Sequence, residues 1–419
     1  MMSATSFFEG VEPSLEEPKT GLKILCVLYD DPTNGMPTSY PLEDLPVIHN
    51  YPDGMTLPSP QGRDFNPGEL LGCVSGELGL RKYLEGLGHT LVVTSDKDGF
   101  GCEADKELID ADIVISQPFF PYYVTRALME SAPNLKMAIT AGIGSDHVDL
   151  EAAMDHNIDV VEVTYCNSRS VAEHIVMQIL VLVRDFTTQH AIVNDGGWHI
   201  ADAVSRSYDV EGMHIGTIAA GRIGLDMLRK MKPFDVHLHY FDKHRLSNQI
   251  ETELGLTYHD SVESMVAHCD VINISCPLHP ETEHMFNDEL IAKCKKGAYI
   301  INTARGKICD KDAIARACES GQLSGYAGDV WFPQPPPNDH VWRSMPNHGM
   351  TPHTSGTSLS AQTRYADGVR EILECFFAGE PIRDEYLIVQ AGELAGMGAH
   401  SYTKGTATHG SSEAAEFKK

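Results

Sequence analysis

Ten short apolar runs punctuate this chain, and helical stretches fill the intervals between them. The first five are LKILCVLY (22–29), TLVVT (90–94), DIVIS (112–116), KMAIT (136–140) and DVVEV (159–163). The second five are HIGTIA (214–219), DVHLHYF (235–241), DVINIS (270–275), AYIINT (298–303) and SGYAGDV (324–330). Runs this continuous, and this rich in β-branched residues, predict strands of parallel sheets covered on both faces. Two consecutive series predict an α/β fold of two doubly wound, Rossmann-like domains.

Between the series, SVAEHIVMQILVLVRDFTTQH (170–190) predicts one long helix, with Ser170 and Glu173 as a capping box and no glycine or proline before Gly196. Its place suits a linker and an oligomer surface. Residues 31–68 are rich in proline and glycine without a period, which predicts a functional loop or a wrapping arm. The Gly-, Ala- and Ser-rich tail from 392 predicts partly irregular chain.

Composition narrows the class. With 419 residues, 42% hydrophobic and 22% charged, the chain has room for two ordinary cores. A net charge of −27 speaks against nucleic acid, whose phosphates need clustered Lys and Arg. No segment approaches the roughly 18 apolar residues of a membrane helix. The N-terminal MMSATSFFEGVEPSLEEPK has neither a signal-peptide nor a transit pattern, so a cytoplasmic protein is expected. Ten cysteines without a CxxC fit reduced thiols, and 20 histidines without HExxH or a Cys/His cluster predict no metal site.

HIGTIAAGRIGLDML runs from a strand into a helix through a tight turn. Gly221 and Gly224 match the second and third positions of a GxGxxG fingerprint, while Ala219 stands at the first. Alone, the pattern fits either a dinucleotide turn or any tight βα turn. Asp242, about 20 residues on at the end of the next strand, can accept from both ribose hydroxyls and repels a 2′-phosphate. The first series has no comparable turn. The second domain is therefore expected to bind NAD in preference to NADP, although Lys243, His244 and Arg245 could partly offset that repulsion. Later strand ends present Pro277 and His279, Thr303 and Arg305, then Asp329 and Gln334, where open parallel sheets hold ligands. An Arg there offers a planar fork to a carboxylate; His353 lies beyond a further strand.

TAGIGSDHVDL, EVTYCNSRSVAEH, AAGRIG, SCPLHPETEH, NTARGK, GYAGDVW and TPHTSGT together resemble NAD-dependent formate dehydrogenase, of the D-specific 2-hydroxyacid dehydrogenase superfamily. SQPFFP, TYCNS, VWFPQP and IRDEYLIVQAGELAGMGAHSYTKG are the pieces specific to formate dehydrogenase. The resemblance implies a substrate domain of 1–168 and 355–419 around an NAD-binding domain of 169–354. It also implies a homodimer that takes formate, releases CO₂ and serves formate catabolism. It assigns Arg305 and Asn167 to the formate oxygens, the Ile143 backbone as a further donor, His353 with Gln334 beside the substrate, and Pro118 and Phe119 as pocket walls. For the cofactor it implies Ser168, Gly221, Arg222, Ile223, Gly224, Asp242, Pro277, Leu278, His279, Pro280, Glu281, Thr303, Asp329, His353, Thr354, Ser355, Gly356 and Ser401.

The stretch VWFPQPPP (330–337) then acquires a meaning beyond a rigid surface corner. Relatives that oxidise a hydroxyl remove a proton as well as a hydride, with a His supported by a Glu. Formate gives up only a hydride, so Gln334 can pair with His353 in either protonation state without adding charge. Two alternatives stay open: a 2-hydroxyacid dehydrogenase with an altered acid–base pair, and a non-catalytic NAD-sensing protein of the same superfamily. Gln334 with Asn167 speak against the first, and intact Arg305 and His353 against the second.

Overall fold

The computed structural model describes residues 21–29 and 77–396. The loop expected at 31–68, the N-terminal segment, most of the tail and Ser401 lie outside the described residues.

The first series forms β1 (Lys23–Val27), β2 (Thr90–Thr94), β3 (Ile113–Ser116), β4 (Met137–Thr140) and β5 (Asp159–Glu162). They pair in parallel in the order β2-β1-β3-β4-β5, doubly wound with a reversal at β1. The second series forms β6 (His214–Ile218), β7 (His237–Phe241), β8 (Thr257–Tyr258), β9 (Val271–Ile274), β10 (Ala298–Asn302), β11 (Leu323–Gly328) and β12 (His348–Met350). Its order, β12-β11-β10-β9-β6-β7-β8, reverses at β6, the strand that leads into the glycine turn. All ten expected strands are present. β3, β4, β9 and β10 are buried at every position, as their unbroken apolar runs require.

Two features depart from expectation. The helix expected at 170–190 is two helices, Ser168–Val183 and Phe186–Asn194, separated at Asp185 with φ +50°. Apolar periodicity passes through this break unaltered. The turn is made by a buried aspartate whose carboxylate accepts from Thr188 Oγ1 at 2.7 Å and Arg206 Nε at 2.9 Å. Nor is Ser170 a cap: Asn167 holds that position, and Ser170 Oγ lies 2.8 Å from Ser358 Oγ and accepts from Arg364.

The second departure is a pair of strands, added at the β5 edge of the first sheet, that the apolar runs do not predict. After the helix Leu359–Ala378 the chain rejoins that sheet as β13 (Leu387–Gln390), antiparallel to β5, followed by β14 (Glu393–Leu394). The chain thus passes between the sheets twice, near Asn167 and near Gly356. A Cβ on Gly356 would come 2.7 Å from Asn167 Nδ2, so the two crossings touch.

Candidate active site

The glycine turn is built from backbone constraints. Ala219 adopts φ +70° in spite of its Cβ, a left-handed conformation that costs roughly 1–2 kcal/mol. Its N–H is held by Phe241 O at 2.8 Å. Gly224 cannot be replaced, because a Cβ there would lie 2.2 Å from Ala219 O. Gly221 has nothing within 4 Å of such a Cβ and opens onto a cavity of about 380 Å³. That open cradle fits a ligand whose phosphates approach the backbone closely. Asp242 Oδ2 accepts from Ala220 N and Oδ1 from His244 N, each at 2.8 Å, so its carboxylate is fixed above the turn. The nearby cations are engaged elsewhere: Lys243 pairs with Glu281 at 2.6 Å, and Arg245 with Glu251 at 2.8 Å.

The same cavity brings together Pro118, Phe119, Ile143, Asn167, Ser168, Gly221, Arg222, Ile223, Gly224, Pro277, Leu278, Thr303, Arg305, His353, Ser355 and Gly356. Asp242, His279, Pro280, Glu281 and Thr354 stand outside its lining. Two lining residues carry buried polar atoms without a protein partner among the described residues, Asn167 Oδ1 and Ser168 Oγ. Buried polar atoms are rarely left unmatched, so these fit a polar ligand.

Arg305 follows β10, where Asn302 shapes the chain: its Oδ1 accepts from Ala304 N and its Nδ2 donates to Arg305 O, both at 3.0 Å. The guanidinium gives Nε–H to Asp146 Oδ2 at 3.0 Å and Nη2–H to Asp146 Oδ1 at 2.5 Å, and Nη1–H to Ala304 O at 2.8 Å. These bonds fix the plane of the fork. Burial alone would raise the Asp146 carboxyl, but the Arg305 charge overrides it and holds it well below the usual carboxylate range. Gly144, with φ +104°, is the price of this approach, since a Cβ there would sit 2.0 Å from Arg305 Nη2. Glu162 Oε2 pins the loop by accepting from Gly144 N at 3.0 Å.

Gln334 lines a smaller recess of about 40 Å³ with Asp146, Arg305 and His353. Arg343 steadies its turn by donating to Pro336 O at 3.0 Å and Pro337 O at 2.9 Å. Gln334 Nε2 donates to Phe119 O at 3.3 Å, which leaves Oε1 facing His353 Nδ1 at 2.9 Å. Desolvation lowers the His353 pKa to about 4, with Asp329 opposing and Arg305 reinforcing the shift. Asp329 is fully buried and outside the cavity lining; its carboxylate accepts from Thr351 Oγ1, Thr354 N and Ser355 N at 2.6–2.8 Å. It therefore holds the loop that carries His353, which itself has φ +58°.

Sequence reasoning assigned no role to Asp146, Glu162 or the Phe119 carbonyl. Asp146 had one available signal: it follows β4 at the carboxyl end of the sheet, inside TAGIGSDHVDL. Among the described residues no group of three or more His, Cys, Asp or Glu is placed to hold a metal, and no helix is long and apolar enough to cross a membrane.

A glycine turn at the reversal of a seven-stranded sheet, facing an Arg beyond β10 and a His beyond β12, defines a nicotinamide-dinucleotide-dependent oxidoreductase. Residues 176–355 match the NAD-binding domain of D-isomer-specific 2-hydroxyacid dehydrogenases. Formate dehydrogenase of Pseudomonas sp. (strain 101) is 66% identical over 397 residues, spanning 95% of this chain and 99% of its own. A solved Granulicella formate dehydrogenase superposes with TM-score 0.81 at 63% identity, covering 90% of this chain and 100% of its own. NAD-dependent formate dehydrogenase from Staphylococcus aureus, solved with NAD, gives TM-score 0.71 at 39% identity over 88% of this chain and 99% of its own. The chain belongs to the NAD-dependent formate dehydrogenase family.

Proposed function

We propose that this protein oxidises formate: HCOO⁻ and NAD⁺ give CO₂ and NADH. One observation carries the reading. The fork of Arg305, fixed by Asp146, shares a cavity with the glycine turn, and beside it His353 is paired with an amide instead of a carboxylate.

Bound NAD⁺ supplies the hydride acceptor. Arg305 and Asn167 hold the formate oxygens, with the Ile143 N–H as a further donor, and neutralise a charge that disappears as CO₂ forms. Gly221, Arg222, Ile223 and Gly224 hold the diphosphate, Asp242 the adenosine ribose, and Ser168, Pro277, Thr303, Ser355 and Gly356 the remainder. His353 orients the substrate without taking a proton. Phe119 helps in two ways: its carbonyl fixes the Gln334 amide, and its ring meets His353 edge-on at 6.3 Å. The substrate unit comprises 1–168 and 355–419 and the cofactor unit 169–354, a division supported by the return of β13 to the first sheet.

A homodimer is supported by apolar side chains exposed on one stretch: Phe186, Val193, Trp198, Ile200, Val204 and Tyr208, with Trp198 78% exposed. The helix before it, Ser168–Val183, is largely occupied by its own chain. A cytoplasmic location and a role in formate catabolism belong to the same reading; nine free cysteines among the described residues, eight of them buried, fit a reducing compartment. The deciding experiment is NADH absorbance with formate as sole donor at saturating NAD⁺. Turnover on glyoxylate, pyruvate or hydroxypyruvate with NADH, and none on formate, would overturn the reading.

A further inference from the structure

The crossing from the first sheet to the second exposes an aromatic ring that the catalytic account leaves unused. Tyr165 is 51% exposed and has φ +69°, uncommon for an aromatic residue. Its neighbours fix it there. Thr164 and Cys166 are buried; Thr164 Oγ1 donates to Glu162 Oε1 at 3.3 Å, and Cys166 Sγ donates to Val163 O at 2.6 Å. With both neighbours turned inward, the ring is turned out, across the gap between the sheets. There the Arg222 guanidinium lies over it, 4.0 Å from the ring centroid.

Arg222 occupies a position that helix stability alone disfavours. It opens the helix Arg222–Met231, whose N-terminus already carries positive charge. Among the described residues it forms no salt bridge. The nearby carboxylate, Glu162, is bonded to Gly144 N, Ser145 Oγ and Thr164 Oγ1. A cation on the positive end of a helix, beside an open glycine, suits the arrival of an anion. A long flexible side chain so placed loses rotamer freedom when that anion binds, unless something has already ordered it.

We propose that Tyr165 is a positioning residue for the dinucleotide: its ring face holds the Arg222 guanidinium at the glycine turn before the diphosphate arrives. The ring supplies the contact and the hydroxyl does not. The proposal rests on the assignment of Arg222 to the diphosphate, and it adds to that assignment a residue from the substrate side of the molecule. Cofactor affinity thereby depends on the crossing segment that also carries Asn167.

Equilibrium titration of the full-length protein with NAD⁺, ADP-ribose and adenosine tests this without turnover. Tyr165→Ala and Tyr165→Leu should each raise Kd for NAD⁺ and ADP-ribose by about three- to tenfold. Tyr165→Phe should stay within about twofold of wild type, because a phenyl face also attracts a cation. Adenosine, which lacks the diphosphate, should bind all variants alike. In an Arg222→Ala background, Tyr165→Ala should add nothing further. Wild-type affinity in Arg222→Ala would remove the assignment beneath the proposal. Weak binding in Arg222→Ala with wild-type binding in Tyr165→Ala would overturn the proposal itself. So would a Phe variant as weak as Ala, or an equal loss of adenosine.

Discussion

His353 Nδ1 lies 2.9 Å from Gln334 Oε1, and the orientation of that amide is set by Phe119 O, which takes its N–H at 3.3 Å. The imidazole proton therefore sits on Nδ1 in the neutral form, and the same bond survives if Nε2 is protonated as well. A carboxylate in place of Gln334 would face the Phe119 carbonyl with two acceptors and no donor.

Since the His353 pKa lies at about 4, its charge is constant from about pH 6 to 9, and wild-type kcat for formate should vary little across that range. Gln334→Glu should raise the His353 pKa. Above the raised value the site holds an uncompensated negative charge. At an effective dielectric of about 20, charges roughly 6 Å apart repel by about 3 kcal/mol. The mutant should lose kcat/KM for formate as pH rises. A mutant profile that overlays the wild type would remove any electrostatic role for Gln334.

Arg305→Ala should lower kcat/KM for formate by about two to four decades, the consequence of losing roughly 3–5 kcal/mol of ion pairing, with NAD⁺ affinity largely kept. Gly144→Ala tests the same anchor indirectly. Its Cβ would displace Arg305 Nη2 while every charge remains, so a loss of about a decade or more is expected, of the kind a 1 Å misplacement brings. If Gly144→Ala keeps wild-type kcat/KM, the fixed plane of the fork is unimportant.

Asp242→Ser should admit NADP⁺, shifting the ratio of kcat/KM for NADP⁺ over NAD⁺ by at least about tenfold, because ribose hydrogen bonds worth roughly 1–3 kcal/mol are lost along with the repulsion. Asp242 also accepts from Ala220 N, so the turn itself should loosen and NAD⁺ affinity fall. Comparable wild-type use of both cofactors would show that Asp242 does not discriminate.

Acid should destabilise the protein between about pH 6.5 and 4. Desolvation lowers His147, His239 and His353 to about 4, whereas an unfolded imidazole titrates near 6.5. In that window the unfolded chain binds more protons, so stability falls as pH falls; the histidine contribution levels below about 4, where Asp146, held low by Arg305, continues the loss. Glu162, raised by burial, acts in the opposite sense. His239 sits in a chain of bonds, His214 Nδ1 to His239 Nε2 at 2.8 Å and His239 Nδ1 to His259 Nε2 at 2.9 Å. Each contact holds a single proton, so the three rings accept one extra proton between them and a second breaks a bond. Tm measured from pH 4.5 to 7.5 should slope upward, less steeply in His239→Gln. An unchanged slope in that variant would exclude the chain as a contributor.

What could be read from the sequence was whatever depends on local pattern. Buried parallel strands announce themselves through runs such as KMAIT and AYIINT, and the cofactor turn through Gly221, Gly224 and a distant Asp242. The break at Asp185 was hidden because one of the two anchors of its carboxylate, Arg206, is 21 residues away. Asp146 meets Arg305 across 159 residues of sequence, and nothing near either one marks the other. Ala219 shows the reverse: a residue that argues against a left-handed turn adopts one, because Phe241 O holds its N–H.

β13 has a bearing on how the chain is made. β5 remains an open sheet edge from the synthesis of Glu162 until Leu387 emerges, and the whole second sheet is translated in between. At about 5–20 residues per second that interval is on the order of ten to forty seconds. Throughout it the unpaired backbone of β5 can template a strand from another nascent chain. The late arrival of one short C-terminal strand therefore bears on the exposure of the nascent chain, a hazard separate from the stability of the finished protein.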